Sequence, residues 1–176
     1  GYDNIAEGNW SHAEGYSNIA NGIVSHAEGQ NTRAYGGYSH AEGLGSLASG
    51  IASHAEGSSS FASGITSHAE GQQTIASGYA SHAEGYQTTA SGYASHTEGI
   101  GTKTNTDVSH AEGSNTTASG YASHSEGKQT KAGLIGYLGI NITNGLIQMD
   151  SAYGDISGIY TIGDQIYIND NNSFNG

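Results

Sequence analysis

Residues 81–94 read Ser81-His82-Ala83-Glu84-Gly85-Tyr86-Gln87-Thr88-Thr89-Ala90-Ser91-Gly92-Tyr93-Ala94, and the fold follows from the recurrence of this unit. Its opening, Ser-His-x-Glu-Gly, begins at Ser11, Ser25, Ser39, Ser53, Ser67, Ser81, Ser95, Ser109 and Ser123, always 14 residues apart. All nine histidines take the second position, and nine of the ten glutamates take the fourth. Residues 1–10 obey the same lattice, since Gly1-Tyr2-Asp3-Asn4-Ile5-Ala6-Glu7-Gly8 aligns with Gly15-Tyr16-Ser17-Asn18-Ile19-Ala20-Asn21-Gly22. The register runs without insertion to about Gly133.

Each unit holds a second half-motif, seen as Thr88-Thr89-Ala90-Ser91-Gly92. Small residues alternate within both halves, and a period of two indicates strand. Fourteen residues cannot hold two helices and a turn, but they suit two five-residue strands joined by two short turns. The predicted structure is a stack of flattened β-coils. At ~4.8 Å per coil, nine and a half coils make a rod ~45 Å long.

Composition supports a repeat architecture over an ordinary globule. Leu, Ile, Val and Phe together make up about 14% of the chain, below the ~20% at which a globular core becomes doubtful. Gly is 29 of 176 residues, with no Pro and no Cys, so disulfide scaffolds, Cys-based zinc sites and collagen are excluded. Sixteen acidic residues against four basic ones give a net charge of −12, which argues against nucleic-acid binding. No apolar run approaches the ~20 residues of a membrane span. The chain opens in mid-repeat, as expected for a piece of a longer protein, and an extracellular or virion-surface location is expected.

A coil this narrow has room only for small residues inside. The columns Ala13, Ala27, Ala41, Ala55, Ala69, Ala83, Thr97, Ala111, Ser125 and Ala20, Ala34, Ala48, Ala62, Ala76, Ala90, Thr104, Ala118, Ala132 are therefore assigned to the interior. Alternation then turns the His and Glu of the first strand outward. The outward column of the second strand runs Ile19, Arg33, Leu47, Phe61, Ile75, Thr89, Lys103, Thr117, Lys131 and drifts as a solvated face does. The His/Glu face does not drift. An Ala-filled interior also buries too little apolar area to offset chain entropy at ~25 cal/mol per Å². Both facts predict association through that face, so the expected subunit interface is His12, Glu14, His26, Glu28, His40, Glu42, His54, Glu56, His68, Glu70, His82, Glu84, His96, Glu98, His110, Glu112, His124 and Glu126.

The repeat resembles the head repeat of YadA-like trimeric autotransporter adhesins, approximately Asn-Ser-Val-Ala-Ile-Gly followed by Ser/Thr-x-Ala. Ser81-His82-Ala83-Glu84-Gly85 matches its Ser, Ala and Gly, and Thr88-x-Ala90 its second half. The likeness covers residues 1–133 and departs at two apolar positions, here His and Glu. It implies an all-β fold: a left-handed parallel β-roll solenoid, homotrimeric, with fibre function as in bacterial adhesins and phage tail fibres. The expected role is structural and adhesive, presenting a part that binds a host cell-surface receptor.

No catalytic set is indicated. Ser and His adjacent on a strand point to opposite faces, which separates nucleophile from base. No cofactor is expected. The bland reading of the ladders is a hydrogen-bonded polar seam between subunits. The sharper one is a metal held by three His on a threefold axis, and a metal-loaded or self-processing fibre is the alternative function. A seam of His–Glu pairs predicts His pKa values raised by Glu and a stability maximum on the acid side of neutrality. In the unit carrying Thr104, Thr106 and Asp107, loss of Gly predicts a changed turn with the register kept. Thr74, Thr88, Thr102, Thr116 and Thr130 are expected as buried or turn-edge hydroxyls.

After Gly133 the composition shifts, and residues 134–176 hold nine Ile but no His, Lys or Arg. This part is expected to be a small β-rich cap or the start of a further domain. Asn144-Gly145 between apolar runs signals a hairpin, and Gly163-Asp164 a second. A polar tail, Asn169 to Gly176, closes the chain.

Overall fold

Every strand amide between Ile5 and Thr117 faces the same accounting problem: two residues of strand leave no partner within their own coil. The computed structural model describes residues 1–133 and two short strands beyond them, and it resolves the problem by stacking. The amide of Ile19 donates to Thr32 O and that of His26 to Ser39 O, each thirteen residues on, at 2.9 Å. The result is two parallel sheets. One has nine strands, from His12–Tyr16 to His124–Ser125; the other has ten, from Ile5–Ala6 to Lys131–Ala132. Register is in step throughout, with His26 opposite His40 and Ala34 opposite Ala48. A parallel β-solenoid of 14-residue coils is thus observed, as the repeat predicts. The strands are shorter than the expected five residues: every second strand has two, as in Thr89–Ala90, and so do five of the nine first strands, as in His40–Ala41.

The corners repeat every seven residues, two per coil. From Asp3 to Gln129, every seventh residue has φ between 48° and 69°, and all but Gly45 and Gly101 carry a side chain. Val24, Thr66 and Val108, which are β-branched, sit in this left-handed region, where such residues are rarely found. The stack holds them there. From Ser17 onward each corner amide donates backward to the preceding coil, as Val24 N to Asn9 O and Val108 N to Tyr93 O at 2.8 Å, while strand amides donate forward.

Two glycine columns are fixed by the 4.8 Å stacking distance. A Cβ on Gly78 would lie 1.9 Å from Gly92 O, and one on Gly85 2.2 Å from Gly99 O. Only Gly85 also has positive φ, at 102°. This corrects the reasoning applied to residue 106. Its column needs Gly for close approach, not for positive φ. At Thr106 the register, the corner at Val108 and the strand Lys103–Thr104 are all kept. The change is confined to hydrogen bonds: Thr106 Oγ1 donates to Gly120 O at 2.7 Å, and the Asp107 carboxylate accepts from Tyr93 N at 2.8 Å.

The interior matches the assignment from steric room. Ala27 through Ala90 in both inward columns are fully buried, and so are Thr97 and Thr104. Among the described residues, no apolar side chain larger than Ala is buried. The remaining space is filled by hydroxyls. Ser25, Ser39, Ser53, Ser67, Ser81 and Ser95 each donate to the Gly carbonyl three residues earlier, at 2.6–2.8 Å. Buried Asn18 donates to Glu14 O and Gly29 O and accepts from Thr32. Thr74, Thr88, Thr102 and Thr116 are buried as expected; Thr130, in the last coil, is exposed.

The chain divides into two compact units, Gly1–Ile135 and Gly136–Gly176. In the second, Ile140–Thr143 pairs antiparallel with Leu146–Met149, Thr143 opposite Leu146, which brackets the expected hairpin position. The second hairpin, the polar tail and the reading of this part as a cap lie outside the described residues.

Candidate functional site

The histidine sheet turns its His and Glu side chains outward in every coil, as alternation requires. Between His26 and His124 the imidazoles form one column, with ring centroids 4.7–4.8 Å apart and planes within 15° of parallel. His12, at the end of the stack, is turned 72° from His26. The spacing is the coil rise itself, so the backbone ladder imposes the stack.

Each Nε2 points along the chain's own glutamate column. His54 Nε2 lies 3.2 Å from Glu42 Oε1 and His40 Nε2 3.3 Å from Glu28 Oε1. Elsewhere the gap widens to 3.6–3.9 Å, and several carboxylates sit between two rings. Glu70 places one oxygen 3.8 Å from His68 and the other 3.8 Å from His82; Glu14 bridges His12 and His26, and Glu112 bridges His110 and His124, in the same way. The expected His–Glu pairing therefore exists within one chain. Of these contacts only His54–Glu42 has hydrogen-bond geometry. The Nε2 atoms of His26, His40, His68, His82, His96 and His110 are buried without a partner.

The electrostatics reverse the expected sign for His. Burial, then the neighbouring imidazole, holds His68, His82 and His96 below the ordinary value of 6.5; His110 is lowered by burial and by both ring neighbours. The nearby Glu charges are too weak to overcome this, so the expected raised His pKa is corrected. The glutamates alternate. Glu56 is pushed up to about 7 by carboxyl–carboxylate hydrogen bonding with Glu70, then by burial; Glu84 reaches about 7 through Glu70 and Glu98. Glu112 is raised by its bond with Glu98. Glu70 and Glu98 are lowered by the same bonds, and in Glu42 bonds from Glu56 and His54 outweigh burial. From Glu42 to Glu112, carboxyls one coil apart are coupled, lowered and raised members alternating along the column.

Sequence reasoning treated the second sheet as an ordinary solvated face and missed two features. Arg33, Lys103 and Lys131, three of the four cations, lie on its outward column, opposite the nine-glutamate face. A shallow groove also crosses it, lined by Phe61, Gln73, Ile75, Gln87, Thr89 and Lys103. The corner leading into the histidine sheet carries an exposed apolar stripe as well, including Trp10, Ile23, Tyr38, Ile51, Tyr79, Tyr93 and Tyr121. Tyr79 and Tyr93 stack at 5.2 Å. Each column was visible in the repeat, but only the coil geometry shows which columns adjoin.

No protein-family model matches the chain, and no curated protein matches it. No helix among the described residues is long and apolar enough to cross a membrane.

Proposed function

We propose that the chain is the structural, adhesive segment of a homotrimeric extracellular or virion-surface fibre, with the His/Glu face and its flanking apolar corner turned toward the partner subunits. One observation carries the reading: every large apolar side chain of the coils is on the surface, and the interior holds only Ala, Ser, Thr and Asn. A monomer would leave Trp10, Tyr38 and Tyr121 at least 65% exposed along one edge, and contiguous apolar surface of this kind marks association. Trimer number, left-handed winding and attachment to a host receptor rest on the resemblance to YadA-like heads. The parallel 14-residue coils and the small-residue interior are consistent with that resemblance. A stack of identical coils supports a mechanical role, since its length is set by repeat number and each coil bonds only to its neighbours. Sedimentation equilibrium from nanomolar to micromolar chain concentration tests the assembly. Three times the 18.0 kDa chain mass is expected at all concentrations where the sheet signal persists, and a folded monomer at micromolar concentration would end the reading.

A further inference from the structure

We propose that the histidine sheet is a comb of chelating sites for a divalent first-row transition cation, each site made within one chain by two successive histidines and the glutamate between them. In six such triads among the described residues, including His12–Glu14–His26, His40–Glu42–His54 and His68–Glu70–His82, the ligand atoms lie within 4.8 Å of one another. The geometry of Glu70 is the clearest. Its two oxygens stand 3.8 Å from the Nε2 atoms of His68 and His82, well beyond the 2.7–3.2 Å of a hydrogen bond. Metal–nitrogen and metal–oxygen bonds of ~2.0–2.2 Å place neighbouring ligand atoms roughly 3.3 Å apart in a tetrahedral site. A contraction of about half an ångström would therefore bring each nitrogen to coordination distance from Glu70's side, while the two imidazoles, whose centroids are 4.8 Å apart, must bring their nitrogens together by up to about 1.5 Å. The nitrogens that would bind it are the ones left buried without a hydrogen bond, including those of His26, His68 and His82.

Imidazole with carboxylate selects Zn²⁺, Co²⁺, Ni²⁺ or Cu²⁺ over Mg²⁺ or Ca²⁺. The two rings of a site lie parallel, so binding must tilt them toward each other, as His12 and His26 already are at 72°. Each Nε2 serves one ion, and cations one coil apart would repel, so occupancy falls on alternate coils. Nine histidines taken two at a time give at most about four ions per chain.

The site needs no second chain, so it stands or falls apart from the trimer. Chelator-stripped protein is titrated with Zn²⁺ by calorimetry, and bound metal is counted after dialysis; Co²⁺ absorption reports tetrahedral coordination. About four ions per chain are expected, with a tetrahedral Co²⁺ spectrum. The double variant His68→Gln, His82→Gln should lose about one ion. Both side chains point outward, and circular dichroism checks that the coils persist. One ion or fewer per chain, about nine ions, or an unchanged count in the double variant would overturn the proposal. So would uptake that vanishes when assembly is broken while the coils remain. Chain mass measured on the same samples keeps the two readings separate: a monomer that takes up four ions leaves the comb intact and removes the trimer.

Discussion

At the scale of the residue, backbone conformation and close approach govern more positions than side-chain chemistry does. Ala94 is exposed and held at φ 48°, a conformation costing an L-residue roughly 1–2 kcal/mol, against ~0.5–1 kcal/mol of extra chain entropy lost by Gly. Ala94→Gly should therefore stabilise by about 0.5–1 kcal/mol in urea unfolding. Gly45→Ala, at φ 69° with the new methyl in ordinary contact 3.7 Å from Ser59 Oγ, should destabilise by a similar amount. Gly78→Ala belongs to a different class. Its Cβ would fall 1.9 Å from a backbone oxygen of the next coil, so the turn must readjust as the coil bearing Thr106 in the same column does, and a loss of about 1–3 kcal/mol is expected. Neither constraint could be read from composition. The glycines were visible as punctuation, but whether each answers to φ or to a neighbour's carbonyl depends on the coil rise.

At the scale of the element, the coil is held by a hydroxyl network whose irregularities are testable. Thr104 replaces the usual Ala, is fully buried, and leaves its Oγ1 without a partner. A buried hydroxyl with no hydrogen bond costs about 1–3 kcal/mol, so Thr104→Val, which keeps the shape, should stabilise by roughly 1 kcal/mol, again by urea unfolding. Ser81→Ala, which removes an Oγ that donates to Gly78 O at 2.8 Å, should instead destabilise. The coil was the most legible part of the chain. A 14-residue lattice with alternating small residues dictates two short parallel strands per turn, and the inward columns follow from room alone. The corners were not legible, because Val24, Thr66 and Ala94 share no residue type. They are held at positive φ by hydrogen bonds to the coil before.

At the scale of the whole molecule, the stack turns one local contact into a column, and a column titrates collectively. Glu84, raised to about 7, resists ionisation; its contribution to stability is present below its unfolded value of 4.5 and lost as pH rises through about 7. Glu70, lowered, contributes stability present above 4.5 and lost as pH falls. The lowered histidines add stability that fades as pH drops below 6.5. In metal-free buffer, Glu84→Gln should therefore gain in melting temperature over the parent as pH rises from 5 to 8. Glu70→Gln should lose at neutrality, and both proteins should melt earlier below about pH 4.5. The repeat revealed that His and Glu share a face. It did not reveal that the carboxyls are coupled or that burial lowers the imidazoles, because both effects arise from stacking.

The central claim is that this face looks inward on the partners, and a spin-label measurement tests it most directly. The chain has no Cys, so His82→Cys and Lys103→Cys, on opposite sheets, each give one nitroxide site per subunit. Pulsed electron-spin distances should be a single short value at position 82 and a clearly longer one at 103. A longer distance at 82 than at 103, or no intersubunit coupling at either position, would contradict the account.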